Sequence, residues 1–207
     1  MKSKIICFIG ETATGKSSIV QKIIEKYSFD KNNHQILNKV VSHTTRPKRP
    51  GENDGGLNGD YVFVSDEEFD NILKTEKVLE KTEYLVNEKR FRYSLCANAI
   101  RDDIDNIVII NPHGLVQLLK YEDLRKRLVI VYCKTDLGIR IGRYLTRENV
   151  DDSAYKRLID RLIQDKKDFA NFEQICLDNH LTTYIVNNSS NVSLDKIAQK
   201  IKNKIIK

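Results

Sequence analysis

The chain has 207 residues, which is enough for one domain with a sizeable core. Its net charge of +6, with 40% hydrophobic and 31% charged residues, suits an anionic ligand and is too mild to argue for nucleic acid. No apolar stretch approaches the roughly 18 residues of a membrane span, and the first strand pattern begins at Lys4, so neither membrane insertion nor export is expected. The four cysteines, Cys7, Cys96, Cys133 and Cys176, show no CxxC or Cys/His ligand spacing. Cys7 and Cys133 lie in apolar runs and read as small buried hydrophobes, as in a reducing, cytoplasmic setting.

In chain order, residues 4–9 form an apolar run that predicts a buried strand. Gly10-Glu11-Thr12-Ala13-Thr14-Gly15-Lys16-Ser17 follows and matches G-x-x-x-x-G-K-[ST]. The glycines let backbone N–H groups converge on one concavity. Lys16 brings a charge to β- and γ-phosphates, and Ser17 a hydroxyl to Mg²⁺. Residues 15–26 then show helical spacing, so a helix starts at the loop and a nucleoside-triphosphate site is expected.

Further strands are predicted at 39–41, 61–64, 107–110, 128–133 and 183–186, and further helices at 66–74, 95–103, 113–121, 136–145, 153–179 and 193–206. The runs at 107–110, 128–133 and 183–186 are almost wholly apolar or β-branched, as in parallel strands covered on both faces by helices. Between 42 and about 92 the rhythm breaks into Gly, Pro, Arg and short alternating runs, which reads as an inserted subdomain with a loop at 51–59. In that segment Arg46 and Arg49 sit three apart around Pro47. Guanidinium groups grip phosphate in two-pronged fashion, so a second phosphate-bearing substrate is expected there.

The segment Ser42-His-Thr-Thr-Arg46-Pro-Lys-Arg49-Pro-Gly-Glu52 resembles the S-x-T-T-R-x-x-R-x-G-E motif of the guanylate kinase family. Asp60-Tyr61-Val-Phe63-Val-Ser65 is similar to its D-Y-x-F-V-S motif, and Val78-Leu79-Glu80 to its F-[LI]-E segment. The resemblance runs to about Asn188 and implies one domain with the α/β fold of P-loop kinases. In it a three-layer core with a central parallel sheet (1–41, 94–135 and 165–207) carries a monophosphate-binding subdomain (about 42–93) and a helical lid (about 136–164).

The implied activity is Mg²⁺-dependent phosphoryl transfer from ATP to GMP or dGMP. By the resemblance, ATP meets Gly10, Glu11, Thr12, Ala13, Thr14, Gly15, Lys16, Ser17 and Ser18, with Asn187 near the adenine and Ser17 on the metal. Arg46, Arg49 and Tyr61 hold the acceptor phosphate, with Glu52 and Tyr93 nearby, and Ser42, Glu80 and Asn111 lie toward the base. A carboxylate at Glu80 accepts from both N1–H and the 2-amino group of guanine, which adenine lacks. Lys16, Arg46 and the lid residues Arg147 and Arg161 are the implied catalytic cations, with Arg157 a competing match to Arg161; Arg140 and Arg143 fall on the same helical stretches.

The base pocket departs from the family pattern. Arg92-Tyr93-Ser94-Leu95 puts Leu where a hydroxyl is expected, so guanine O6 loses a donor unless Ser94 reaches it. Asn111 stands where the family has an acid and keeps one acceptor oxygen. The turn at 55–59 and the lid are longer than the family's. Two other readings stay open: a P-loop kinase for another nucleotide or small phosphorylated metabolite, and an inactive guanylate kinase-like binding module. The sequence leaves His43 and His113, and the choice of monomer or homodimer, undecided.

Overall fold

The computed structural model describes residues 3–49, 51–86, 89–147, 152–189 and 192–206. The chain opens with β1 (Ile5–Ile9), α1 (Lys16–Tyr27) and β2 (Leu37–Lys39). It continues through β3 (His43–Thr44), β4 (Val62–Phe63), α2 (Asp66–Thr75) and the hairpin β5 (Val78–Val86) and β6 (Lys89–Cys96). Then come β7 (Asp105–Ile109), α3 (Pro112–Leu118), α4 (Glu122–Arg125), β8 (Leu128–Lys134), α5 (Leu137–Arg147), α6 (Asp152–Asp168), α7 (Phe172–Asp178), β9 (Thr182–Asn187) and α8 (Leu194–Ile205). Among the described residues no helix is long and apolar enough to cross a membrane.

Five strands form a parallel sheet in the order β2-β7-β1-β8-β9. β1 is apolar throughout because both its faces are covered. Ile6 and Phe8 pack with Ile19 and Ile23 of α1 and Ile197 and Ile201 of α8. Ile5, Cys7 and Ile9 pack with Leu115 and Leu118 of α3 and Phe172 and Cys176 of α7. All four cysteines are buried and unpaired. This is the expected α/β architecture, and it brings the ends of β1 and β7 side by side at the carboxyl edge of the sheet, where open α/β folds bind ligands.

A second, mixed sheet has the order β4-β3-β6-β5. β3 is parallel to β4 and antiparallel to β6, and β6 is antiparallel to β5. On one face Arg92 lies over the Phe69 ring at 4.2 Å and pairs with Asp66 and Asp70 of α2. Ser65 and Glu68 close a reciprocal cap on that helix.

Four expectations need correction. Residues 95–103 form no α-helix: β6 runs to Cys96, and a single 3-10 turn at Ala97–Ala99 follows. Leu95 is taken by cross-strand pairing with Glu80 and by the core. The stretch 153–179 is two helices, because the chain turns at Ala170 to drive Phe172 into the core against Tyr132 and Phe169. The strand expected at 39–41 lies at Leu37–Lys39. β9 is an edge strand with Thr182, Thr183, Ile185 and Asn187 exposed, so only one of its sides is paired.

The start of β7 is held by one buried amide. Asn106 Oδ1 accepts from Asn38 Nδ2 and the Arg101 N–H, both at 2.9 Å, and Nδ2 donates to the carbonyls of Arg101 (2.7 Å) and Ile104 (3.0 Å). Asn106→Leu strands these groups in the interior. Urea unfolding of that variant should show a loss of about 2 kcal/mol, with the slope unchanged.

Candidate active site

Gly10 ends β1 so close to β8 that a Cβ there would sit 2.4 Å from the Cys133 carbonyl oxygen. The chain then curls through Ala13 (φ 61°) and Gly15 (φ 87°), both left-handed, into the first turn of α1. Among the described residues no hydrogen bond engages the N–H groups of Ala13, Gly15, Lys16, Ser17 or Ser18. They are a loop's and a helix N-terminus's donors gathered in one place, an arrangement suited to anions. Lys16 Nζ crosses the loop to the carbonyls of Gly10 (2.6 Å) and Glu11 (2.8 Å), and burial pulls its pKa down to about 8. The Ser17 side chain is exposed at the helix start.

The loop is gripped from outside by residues that the motif did not reveal. Arg140 of α5 is 5% exposed. Its guanidinium donates to the Thr12 carbonyl (2.8 Å), Glu11 Oε2 (2.6 Å) and Asp165 Oδ2 (2.6 Å). Asp165 of α6 accepts in turn from the Thr12 N–H (2.8 Å) and hydroxyl (3.1 Å). On the other side Asn188 Nδ2 donates to the Thr14 carbonyl (2.9 Å), and Arg143 donates to the Asn188 carbonyl (2.9 Å). Asn187, expected near the adenine, is exposed, and its side-chain Oδ1 accepts the Ser189 N–H; its neighbour Asn188 is the one against the loop.

A second cluster lies on the mixed sheet. Arg46 is bound two-pronged by Glu52 (2.8 and 2.9 Å) and lies over the rings of Tyr61 (5.2 Å) and Phe63 (5.5 Å). Glu52 also accepts the Arg49 N–H at 2.7 Å, so one carboxylate organises both arginines of the loop. Tyr61 packs edge-on against Tyr93, and Tyr93 against Tyr84. Burial pushes the Tyr61 hydroxyl up to about 12, so it stays a donor at neutral pH.

Cross-strand pairing of Glu80 with Leu95 and of Thr82 with Tyr93 puts these four side chains on one face. Glu80 is 6% exposed, and burial raises its pKa against the opposing effects of the Thr82 hydroxyl, which donates to its Oε1 at 2.5 Å, and of nearby His113. Leu95 forms a buried apolar wall. Ser94 does not replace the missing hydroxyl, because it pairs with Lys81 on the opposite face, fully buried. Asn111 caps α3: its oxygen accepts the Gly114 N–H at 2.6 Å, so that acceptor is already committed, and its amide donates to the Tyr84 hydroxyl at 2.6 Å. Alternation around Glu80 was the one signal that could have brought Thr82 and Tyr84 forward.

Ser42 stands just before β3. His43 is half-buried beside Cys96, with its pKa lowered by burial. Arg161 is exposed on α6 and Arg157 is half-buried there. Arg147 ends α5, and its side chain lies outside the described residues.

Against known proteins, the sequence model of the guanylate kinase family matches residues 2–205. This chain belongs to the guanylate kinase family. It is 28% identical over 185 residues to the guanylate kinase of Hydrogenovibrio crunogenus, covering 88% of this chain and 83% of that protein. It is 34% identical over 116 residues to that of Streptococcus thermophilus, an alignment covering 56% of this chain and 51% of the relative. The crystal structure of guanylate kinase from Anaplasma phagocytophilum has the same fold (TM-score 0.61, 19% identity), covering 98% of this chain and 86% of that one.

The grip on the loop is testable by stability. Arg140→Leu removes a buried guanidinium and leaves the half-buried Glu11 and Asp165 without their cation, which should cost about 2 kcal/mol in urea unfolding. Adding Asp165→Leu should cost less than the sum of the single changes, by about 1 kcal/mol or more in a double-mutant cycle.

Proposed function

We propose that the chain transfers the γ-phosphoryl group of ATP to GMP or dGMP. The observation that carries this reading is the set of five unengaged N–H donors around half-buried Lys16, at the carboxyl edge of β1. A triphosphate satisfies those donors and Lys16 together. The region 42–93 acts as the monophosphate-binding subdomain and 136–164 as the lid.

Arg46, held flat by Glu52 and the aromatic rings, presents a preset fork to the acceptor phosphate, with Arg49 and the neutral Tyr61 hydroxyl beside it. Glu80 takes the donor edge of guanine. Ser42 and Tyr93 complete the acceptor pocket, and Asn111 orients it from the start of α3. Asn188 replaces Asn187 as the asparagine on the nucleotide side.

Mg²⁺, when bound, neutralises charge on the phosphate oxygens. The exposed Ser17 hydroxyl fits as its protein ligand. Among the described residues no three His, Cys, Asp or Glu side chains form a metal site. Transfer between two phosphates needs position and charge neutralisation more than a general base. Lys16 and the lid arginines Arg147 and Arg161 supply charge, and closure over both sites excludes water.

Leu95 favours a second reading, a different monophosphate acceptor, because its apolar wall offers guanine O6 no donor. An ADP-release assay over GMP, dGMP, AMP, UMP and CMP decides between the two: the main reading requires GMP or dGMP to be the best acceptor. Lys16→Ala should lose most turnover while GMP still raises the melting temperature as it does in the parent chain. Unchanged turnover in that variant defeats the assignment of Lys16, and a parent chain that turns over none of the five acceptors leaves the binding-module reading.

Glu80 recognises guanine only as the carboxylate, and burial holds its pKa above the ordinary 4.5. Falling pH protonates it early, so kcat/KM for GMP should drop on the acid side before an ordinary carboxylate titrates. Glu80→Gln should lower kcat/KM throughout and remove that limb, while the limb from the ionisation of the acceptor phosphate persists in both proteins.

A further inference from the structure

Guanine shows a protein one acceptor, O6, beside two donors, N1–H and the 2-amino group. Glu80 meets the donors only. Leu95 and the turned-away Ser94 leave β6 with nothing to give O6. Tyr84 lies on the Glu80 face of β5, four residues on. Its hydroxyl meets Asn111, whose oxygen caps Gly114, and a Cβ on Gly114 would lie 3.1 Å from Glu80 Cγ. Hydroxyl and carboxylate therefore flank the same helix start.

The direction of the Tyr84 hydrogen bond follows from the cap. An N–H occupies Asn111 Oδ1, so the other arm of the amide is the NH₂, and it donates to Tyr84. Tyr84 is the acceptor in that bond, and its own proton remains to be given. Among the described residues no acceptor takes it. The charges of Asp168 and Glu80 reach the ring without hydrogen-bonding to it, and burial keeps the phenol protonated, with its pKa near 12.

We propose that Tyr84 is the residue that reads the exocyclic oxygen of the acceptor base, donating its hydroxyl proton to O6 in place of the hydroxyl missing at Leu95. The proposal rests on the guanylate kinase reading above. Tyr84 and Glu80 together present a donor beside an acceptor, the complement of a 6-oxopurine. Adenine offers the reverse order and leaves both groups unmatched. Asn111 is a positioning residue, because it fixes which way the Tyr84 proton can point.

The test compares acceptors that differ at one atom. Tyr84→Phe removes the hydroxyl and keeps the ring against Tyr93. With GMP, kcat/KM should fall at least about tenfold. With 6-thioguanosine monophosphate, whose sulfur is a weak acceptor, the fall should be less than about threefold. An equal fall with both acceptors, or none with GMP, overturns the proposal, since packing alone does not distinguish oxygen from sulfur. Ser42→Ala is measured alongside, because the register of β3 on β6 places Ser42 opposite Leu95. An oxygen-dependent loss found there and absent from Tyr84→Phe assigns O6 to Ser42 and overturns the role of Tyr84. If the parent chain phosphorylates another monophosphate and neither of these two, the functional reading falls, and this role with it.

Discussion

A buried guanidinium has to be met on all sides, and at Arg140 that requirement organises the Gly10–Ser17 end of the molecule. Its partners come from three places: the loop carbonyl of Thr12, the loop carboxylate of Glu11 and Asp165 of α6. Removing any one leaves charge or a polar group unmatched in a poorly hydrated site. The arrangement therefore sets the curl of the loop, the approach of α5 and the seat of α6 together. It also consumes the N–H and C=O of Thr12, so the donors that remain unengaged begin at Ala13, on the inner side of the curl. A polar grip outside the loop leaves the inside to the ligand.

The acceptor end is built on a different principle. Its frame is the β5/β6 hairpin, whose alternation sends Arg92 and Ser94 toward α2 and Tyr93 and Leu95 toward the opposite face. Glu52 acts there much as Asp165 does at the Gly10–Ser17 loop, since in each case one carboxylate holds a guanidinium and a loop N–H together. Aromatic contacts do the rest. Tyr61, Tyr93 and Tyr84 pack in sequence edge to face and link the Arg46 clamp to the Asn111 cap.

How legible these features were depended on how local their causes are. The phosphate loop is eight consecutive residues between a strand and a helix, and all of its requirements lie inside that window. The parallel core was legible because the runs 5–9, 107–109 and 128–131, covered on both faces, are wholly apolar. The hairpin was not, because Lys81, Glu83, Arg90 and Arg92 interrupt its apolar content; one of its faces looks to solvent and to α2. The helix expected at 95–103 failed for a non-local reason, since Leu95 had a partner in Glu80 on another strand. Arg140 looked like one more basic residue on a helix. Its partners are 25 and 129 residues away, and no spacing rule reaches that far.

The two ends are not independent pieces joined by the sheets. The loop at 51–59 folds back on α1: Leu57 packs against the core cluster that holds Ile19 and Ile23, and Asn58 meets Gln21 at 3.5 Å. Gly59 can approach the Gly55 carbonyl only without a side chain, since a Cβ there would lie 2.2 Å from it, and this makes the loop a compact knot. The Arg46–Glu52 clamp is therefore attached at one side to the mixed sheet and at the other to the helix whose first turn carries Lys16. A helix shared by both ends ties the clamp to the loop that carries Lys16, and that fixes the distance between the two clusters more than any single contact does.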